Sequence, residues 1–242
     1  MRLQTIRRTL LLFSFLLFPL TFAYLSPAHA IEGAYVGVVT AGLLAWGLVL
    51  VTSLVLGRAW CGYLCPLGGL QMCLHAALQR PHVRARGLRV VKYAIWGAWV
   101  GLIVTFAIRG GGFSGFDLKR DIEGPPLYGP QSAVAFFAFA GLAAVLGLVL
   151  GRRGFCHHLC FFSPLNIIGA RLAARIRLPR LRLSVPDPAK CVDCKRCNAT
   201  CPMTLDVASM VRAGRMENVE CITCGSCSAA CERGVIGYGV GR

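Results

Sequence analysis

Two cysteine runs, Cys191-x2-Cys194-x2-Cys197-x3-Cys201 and Cys221-x2-Cys224-x2-Cys227-x3-Cys231, share one internal spacing and constrain the C-terminal part of the chain more than any other feature. A cubane iron–sulfur cluster needs four thiolates around it. A C-x2-C-x2-C loop wraps three corners and turns backbone amides toward the sulfides, so the fourth ligand comes from elsewhere. In the bacterial two-cluster pattern the last cysteine of each run serves the other cluster. That pattern assigns Cys191, Cys194, Cys197 and Cys231 to cluster one, and Cys221, Cys224, Cys227 and Cys201 to cluster two. Paired C-x2-C motifs also make tetrahedral zinc sites, but two runs of identical spacing, the first closed by Pro202, fit clusters better. Glu232 stands where a proline commonly follows the last cysteine, which changes the turn without removing a ligand.

Ahead of these runs lie four apolar stretches, 9–25, 34–56, 90–108 and 131–150. Each is long enough as a helix to cross about 30 Å of hydrocarbon. The mean hydropathy of +0.62 agrees with a membrane class. A net charge of +16 would suggest nucleic acid in a soluble protein. Here the basic clusters flank the apolar runs on one side, leaving only Arg109, Lys119 and Arg120 of the 26 basic residues on the other. The positive-inside rule therefore accounts for the charge without nucleic acid, and it puts both termini and both cysteine runs in the cytoplasm. That compartment is reducing, which excludes a disulfide framework.

The segment 109–130, with Gly110-Gly111-Gly112 and Pro125-Pro126, is expected to be a periplasmic loop. Residues 1–30 also resemble a signal peptide ending in Ala28-His29-Ala30. The apolar run is followed almost directly by another span, which favours retention over cleavage.

Leu54-Val55-Leu56-Gly57-Arg58 before Cys61 and Leu148-Val149-Leu150-Gly151-Arg152 before Cys156 point to duplication of a two-helix unit. Each copy leads into a pair, Cys61-x3-Cys65-Pro66 and Cys156-x3-Cys160. These four are candidate redox thiols: they suit a third cluster or metal site, a redox-active disulfide, or contact with quinone, and packing of helix ends is the plainer alternative. The second copy departs from the first, with Phe161 after Cys160 and proline only at Pro164, which sets a different turn. His157 and His158 are candidate metal or proton-handling groups, though adjacent histidines at a helix end are expected on the surface. No span carries a histidine in its apolar core, so bilayer haem is unsupported, and His75 and His82 fall in the cytoplasmic loop. Cys73 is an unpaired thirteenth cysteine with an expected structural role. Arg171, Arg175, Arg177, Arg180 and Arg182 suit either an amphipathic helix on the anionic inner leaflet or a basic linker. Pro186-Asp187-Pro188 marks a domain boundary. No hydrolase triad, phosphate loop or dinucleotide fingerprint is recognisable.

The expected fold is thus a membrane all-α part over residues 1–182, with about four transmembrane helices in two pseudo-repeated hairpins. A small α+β two-cluster bacterial ferredoxin-like domain follows over 183–242. The C-x3-C-P after one span, the second C-x3-C after another, and the C-terminal double run together resemble the NapH-type membrane ferredoxins over nearly the whole chain. The pattern is also similar to methylamine-utilisation ferredoxins and, more distantly, to nitrous oxide reductase regulators and cytochrome oxidase accessory proteins.

The resemblance implies a multi-pass protein of the bacterial inner membrane with two 4Fe-4S clusters. It implies an electron-transfer subunit of quinol dehydrogenase type rather than a stand-alone enzyme. Membrane lipid, quinol and a partner redox protein, either a periplasmic reductase or an associated ferredoxin or cytochrome subunit, are the implied partners. Two other roles would use the same ligands: an electron-supplying maturation factor for a metalloenzyme, and a membrane anchor for a ferredoxin module.

Overall fold

A computed structural model describes residues 2–78, 90–118 and 130–241 of the chain. Its helices break where proline, glycine and capping residues interrupt the apolar runs. The first expected span, 9–25, is divided at Leu17 into α1 (Arg2–Leu16) and α2 (Phe18–Leu25). Pro19 has no N–H to give the carbonyl of Phe15 and its ring crowds that oxygen, so one continuous helix cannot form. The chain bends by 71° there. α3 (Pro27–Val36) begins under the Ser26 cap and stops at Gly37, whose φ of 76° is a left-handed conformation that only glycine adopts cheaply. β1 (Val38–Thr40) follows, and Thr40 then caps α4 (Ala41–Leu56) by accepting from the Leu43 amide at 3.3 Å. The second expected span, 34–56, is therefore not one helix. Gly37 and Thr40 reduce it to the 16 residues of α4.

α5 (Ala59–Tyr63) and α6 (Pro66–Leu78) come next. α7 (Val91–Arg109) and α8 (Pro130–Val149) lie within two residues of the third and fourth expected spans. Between them β2 (Gly115–Asp117) pairs in parallel with β1, tying the start of the 109–130 loop to the end of α3. Lys119, Arg120, Pro125 and Pro126 of that loop, and His82, fall outside the described residues. By length and composition α7 is the one described helix able to cross a membrane alone, and α1 with the α2–α3 segment qualifies as a bent pair. The outward faces of α4, α7 and α8 are apolar, with Leu48, Val51, Leu102, Ile108, Val134 and Phe137 all exposed.

α9 (Gly154–His158) and α10 (Phe162–Arg175) complete a second copy of the α4-α5-α6 order. The copies cross: α10 packs on α4 and α6 on α8. Gly169 of α10 permits the first approach, because a side chain there would run into the Ser53 hydroxyl. Phe18, Trp46, Leu67, Phe136, Phe155 and Phe161 build the shared apolar core.

The C-terminal unit is small and α+β. β3 (Arg180–Ser184) pairs antiparallel with β4 (Gly237–Gly241), from Arg180 opposite Gly241 to Ser184 opposite Gly237. Between the strands lie α11 (Arg196–Thr200), α12 (Val207–Arg212) and α13 (Ser226–Ala229). Val207, Val211, Ile222 and Val235 form a core continuous with several of the cysteines.

Candidate functional site

The two cysteine runs fold alike. Left-handed residues recur at matched positions, Asp193 and Thr223 two residues after the first cysteine of each run, Lys195 and Gly225 four after it, and Thr204 and Gly234 three after the last. Alternating left- and right-handed residues turn successive amides into one concavity, the backbone nest that holds anionic groups such as iron–sulfur clusters. Glycine is needed at 225 for a second reason: a Cβ there would strike the Tyr238 ring, whose hydroxyl donates to the Thr223 carbonyl at 3.1 Å. Cys191, Cys194, Cys197 and Cys231 line one cavity of about 240 Å³. Cys201, Cys221, Cys224 and Cys227 line a tighter one of about 20 Å³. Within the second set burial pushes the Cys221 thiol up to about 11, and its neighbours Cys224 and Cys201 push the same way.

The nests, the two cavities and their sets of four thiols suit clusters.

Cys61, Cys65, Cys156 and Cys160 are all buried. The backbone turns that carry them are alike despite Phe161: the amides of Leu64 and Cys65 both donate to the Trp60 carbonyl, and those of Leu159 and Cys160 both donate to that of Phe155. The expected difference in turn geometry is absent because Phe161 and Pro164 lie after the turn has closed. Burial pushes the Cys65 thiol up to about 12, and the nearby Cys156 and Cys61 thiols reinforce the shift, so the two pairs converge. Cys65 and Cys160 sit in the core of the helical part, while Cys61 belongs to the core that contains Cys201, Cys224 and Cys227.

His157 and His158 are buried, 0% and 1% exposed, not on the surface as expected, because α9 is covered by α8 and α7. Cys73 and His75 lie on α6 and face a different cavity, with Arg7 and Arg152.

Side chains that the motifs did not single out organise the centre. Arg58 and Arg153 each stand three residues before the first cysteine of a pair, and each reaches into the other repeat. Arg153 Nη1 donates to the Cys61 carbonyl at 2.7 Å, and Arg58 Nη2 donates to Ser163 Oγ at 2.8 Å. Ser163 and Gly68 occupy matching places, three residues after the second cysteine, and Gly68 faces the Arg153 guanidinium. The pairing by sequence had put Arg58 with Arg152, one residue off the structural equivalence.

Arg58 Nη1 also donates to the Val219 carbonyl and to Glu220 Oε2, at 2.8 and 2.9 Å, and Lys92 Nζ donates to Glu220 Oε1 at 2.5 Å. This ion triad is buried and anchors the residue next to Cys221. Further contacts fall on the same loop. Gln4 Nε2 donates to the Cys224 carbonyl at 2.9 Å, and the Tyr63 and Tyr238 hydroxyls share a 2.8 Å hydrogen bond. A Cβ at Gly62 would lie 2.5 Å from the Ile222 carbonyl oxygen. The 219–226 loop is thus docked on the helical part, while Cys194 at the far end of the C-terminal unit is exposed.

A 4Fe-4S binding domain family matches residues 38–84 and 132–179, once over each repeat, and a 4Fe-4S dicluster domain family matches 184–232. The chain is 29% identical to the ferredoxin-type protein NapH of Haemophilus influenzae, over 66% of this chain and 53% of that protein. It is 24% identical to the methylamine utilization ferredoxin-type protein MauN of Methylobacillus flagellatus, over 73% of this chain and 60% of that one. It is 32% identical to the nitrogen fixation protein FixG of Rhizobium meliloti, over 82% of this chain and 44% of that one. The chain thus spans less than two thirds of the length of each of these relatives. No solved structure matches it significantly. A repeated 4Fe-4S binding unit joined to a dicluster unit, with ferredoxin-type relatives, places this iron–sulfur electron-transfer chain in the NapH-type ferredoxin family.

Proposed function

We propose that the protein is a multi-pass inner-membrane electron carrier that takes electrons from quinol and relays them to a partner redox enzyme. The exposed apolar faces of α4, α7 and α8, and the bent α1–α3 segment, support about four membrane passages with both termini in the cytoplasm. Residues 1–182 form the membrane part and 183–242 the cluster domain in this reading. Cys191, Cys194, Cys197 and Cys231 hold cluster one, and Cys221, Cys224, Cys227 and Cys201 hold cluster two. Cys61, Cys65, Cys156 and Cys160 hold a third redox site. Bound clusters supply one-electron carriers; the chain supplies their spacing, insulation and docking.

The observation that carries the reading is that Cys65 lines an apolar cavity while Cys61 of the same pair packs with the cysteines of the cluster-two loop. On one side a cavity of about 330 Å³, lined by Phe18, Phe22, Trp60, Cys65, Trp99 and Phe139, fits a hydrophobic ring. On the other, Gly62 brings the Cys61 segment against Ile222 and Cys224. Cluster one then lies outermost, beside the exposed Cys194, where a partner can reach it.

The test is a pair of variants, Cys61→Ala and Cys156→Ala. Each removes a thiol and little volume, so a packing role costs only modest stability. Electron paramagnetic resonance should still find both C-terminal clusters after dithionite, while a quinol analogue no longer reduces them in membranes. Full quinol-dependent reduction in the double variant would make the four thiols structural. An intact protein that accepts electrons from no quinol would instead favour a maturation role.

A further inference from the structure

A second cavity, of about 610 Å³, opens between the first turns of α1, the end of α6 and the cluster domain. Arg7, Arg8, Arg152, Arg153, His75 and Gln71 are among its lining, and no acidic residue is. Arg7 and Arg153 are 7% and 4% exposed. Their bonds go to neutral acceptors: Arg7 Nε to Gln4 Oε1 at 2.9 Å, Arg7 Nη2 to Ser226 Oγ at 3.4 Å, Arg153 to the Cys61 carbonyl, and Arg152 to the Ala199 carbonyl. Among the described residues, none of the four arginines meets a carboxylate. Burial lowers the Arg7 pKa; Cys224 opposes that shift, and Arg153 and Arg8 reinforce it.

The thiols at Cys224, Cys201 and Cys156 face Arg7, Arg152 and Arg153 from one side, and each guanidinium carries five N–H groups of which these use one or two. The unused donors converge on an acid-free cavity and suit an anion whose oxygens several forked guanidiniums can share, and phosphate is the group best matched to that geometry. The rim at Arg8 and His75 lies at the start of α1 and the end of α6, the level at which cytoplasmic headgroups meet a membrane protein.

We propose that this cavity binds a phosphate-type oxyanion, presented by an anionic phospholipid headgroup or by free phosphate. It is distinct from the apolar cavity and borders the thiol pairs through Gln71, which donates to Cys156 Sγ at 3.6 Å, and through Arg153; occupancy would brace α1 and α6 against the 219–226 loop at Ser226.

The experiment uses anaerobically purified, delipidated full-length protein, with native mass spectrometry and thermal unfolding as readouts. The probes are phosphatidylglycerol, phosphatidylcholine and inorganic phosphate. Phosphatidylglycerol should be retained and should raise Tm saturably, with phosphatidylcholine inert. Its apparent Kd should weaken about fivefold in Arg8→Gln and about 30-fold in Arg7→Gln/Arg8→Gln. It should stay unchanged in Arg215→Gln/Arg233→Gln, two exposed basic residues of the C-terminal unit outside the cavity. Iron content should be equal in all, which keeps this test independent of the cluster assignments. A Tm rise with inorganic phosphate would show that the oxyanion alone suffices; retention of lipid without it would assign the site to headgroups. The exposed Arg8 variant decides alone if the double variant does not fold. Equal retention of the two lipids, or equal weakening in the Arg215→Gln/Arg233→Gln control, overturns the proposal.

Discussion

Glu220 offers the sharpest test of how the cluster domain is held. Its side chain is 9% exposed and lies between Arg58 and Lys92, themselves 3% and 0% exposed. Burial alone would raise its pKa, but Arg58 and Lys92 outweigh it and hold the carboxyl at about 2 instead of 4.5. A carboxyl depressed in the folded state stabilises only while ionised. The contribution is full above about pH 4.5 and is lost as pH falls towards 2. That interval corresponds to about 3 kcal/mol at about 1.4 kcal/mol per pH unit. Glu220→Gln keeps the shape and removes the charge at every pH, leaving two buried cations facing each other, and breaking a buried ion pair in this way costs about 3–5 kcal/mol. For a chain of this length each kcal/mol moves Tm by about 2–4 °C, so a loss of about 6–20 °C is expected at pH 7. Tryptophan fluorescence of the anaerobically purified protein reads it. Adding Lys92→Met to Glu220→Gln removes one of the uncompensated cations and should restore about half of the loss. A fall of less than about 2 °C in the single variant would refute the view that this triad fastens the loop.

Gly62→Ala should cost about 1–3 kcal/mol by forcing the Cys61 segment off Ile222, and it should slow quinol-driven reduction with iron content unchanged, read by stopped-flow absorbance. Chemical analysis of intact protein should give about eight iron and eight sulfide per chain, or about twelve of each if the four membrane-side thiols hold a cube; iron near two with abundant zinc would end the cluster reading. A reporter fused after Arg242 should be cytoplasmic, and a cysteine introduced at Ser114 should be labelled from outside.

The iron–sulfur character of the C-terminal unit was legible because cluster chemistry writes itself as spacing: a run of C-x2-C-x2-C-x3-C has few other uses. The ends of α7 and α8 were legible because long apolar runs bounded by basic residues have one geometry available. The first two spans were not, since hydropathy averages over single residues such as Pro19, Gly37 and Thr40, each of which ends or starts a helix through one backbone group. Gly37 and Thr40 carried a readable stop-and-cap signal inside an apolar stretch. The burial of His157 and His158 was invisible because it depends on α7 and α8 lying over α9, and local polarity says nothing about such a cover. Glu220, Arg58 and Lys92 are far apart in sequence, so no motif could have joined them.

The crossed arginines explain why two copies of one unit make a single centre with one docking face. Each repeat supplies an arginine before its thiol pair, and each arginine fastens the opposite loop, so neither thiol pair is held without the other. The symmetry breaks three residues after the second cysteine. Gly68 offers Arg153 no side chain, so one donor is spent on the Cys61 carbonyl, whereas Ser163 takes one nitrogen of Arg58 and leaves the other for Val219 and Glu220. Arg58 can therefore bind the cluster domain as well as the partner repeat, and Lys92 sits within reach only on that side. The cluster-two loop docks beside Cys61 and not beside Cys156 for this reason. A near-symmetric pair of repeats thus has one docking face, set by which arginine met a serine.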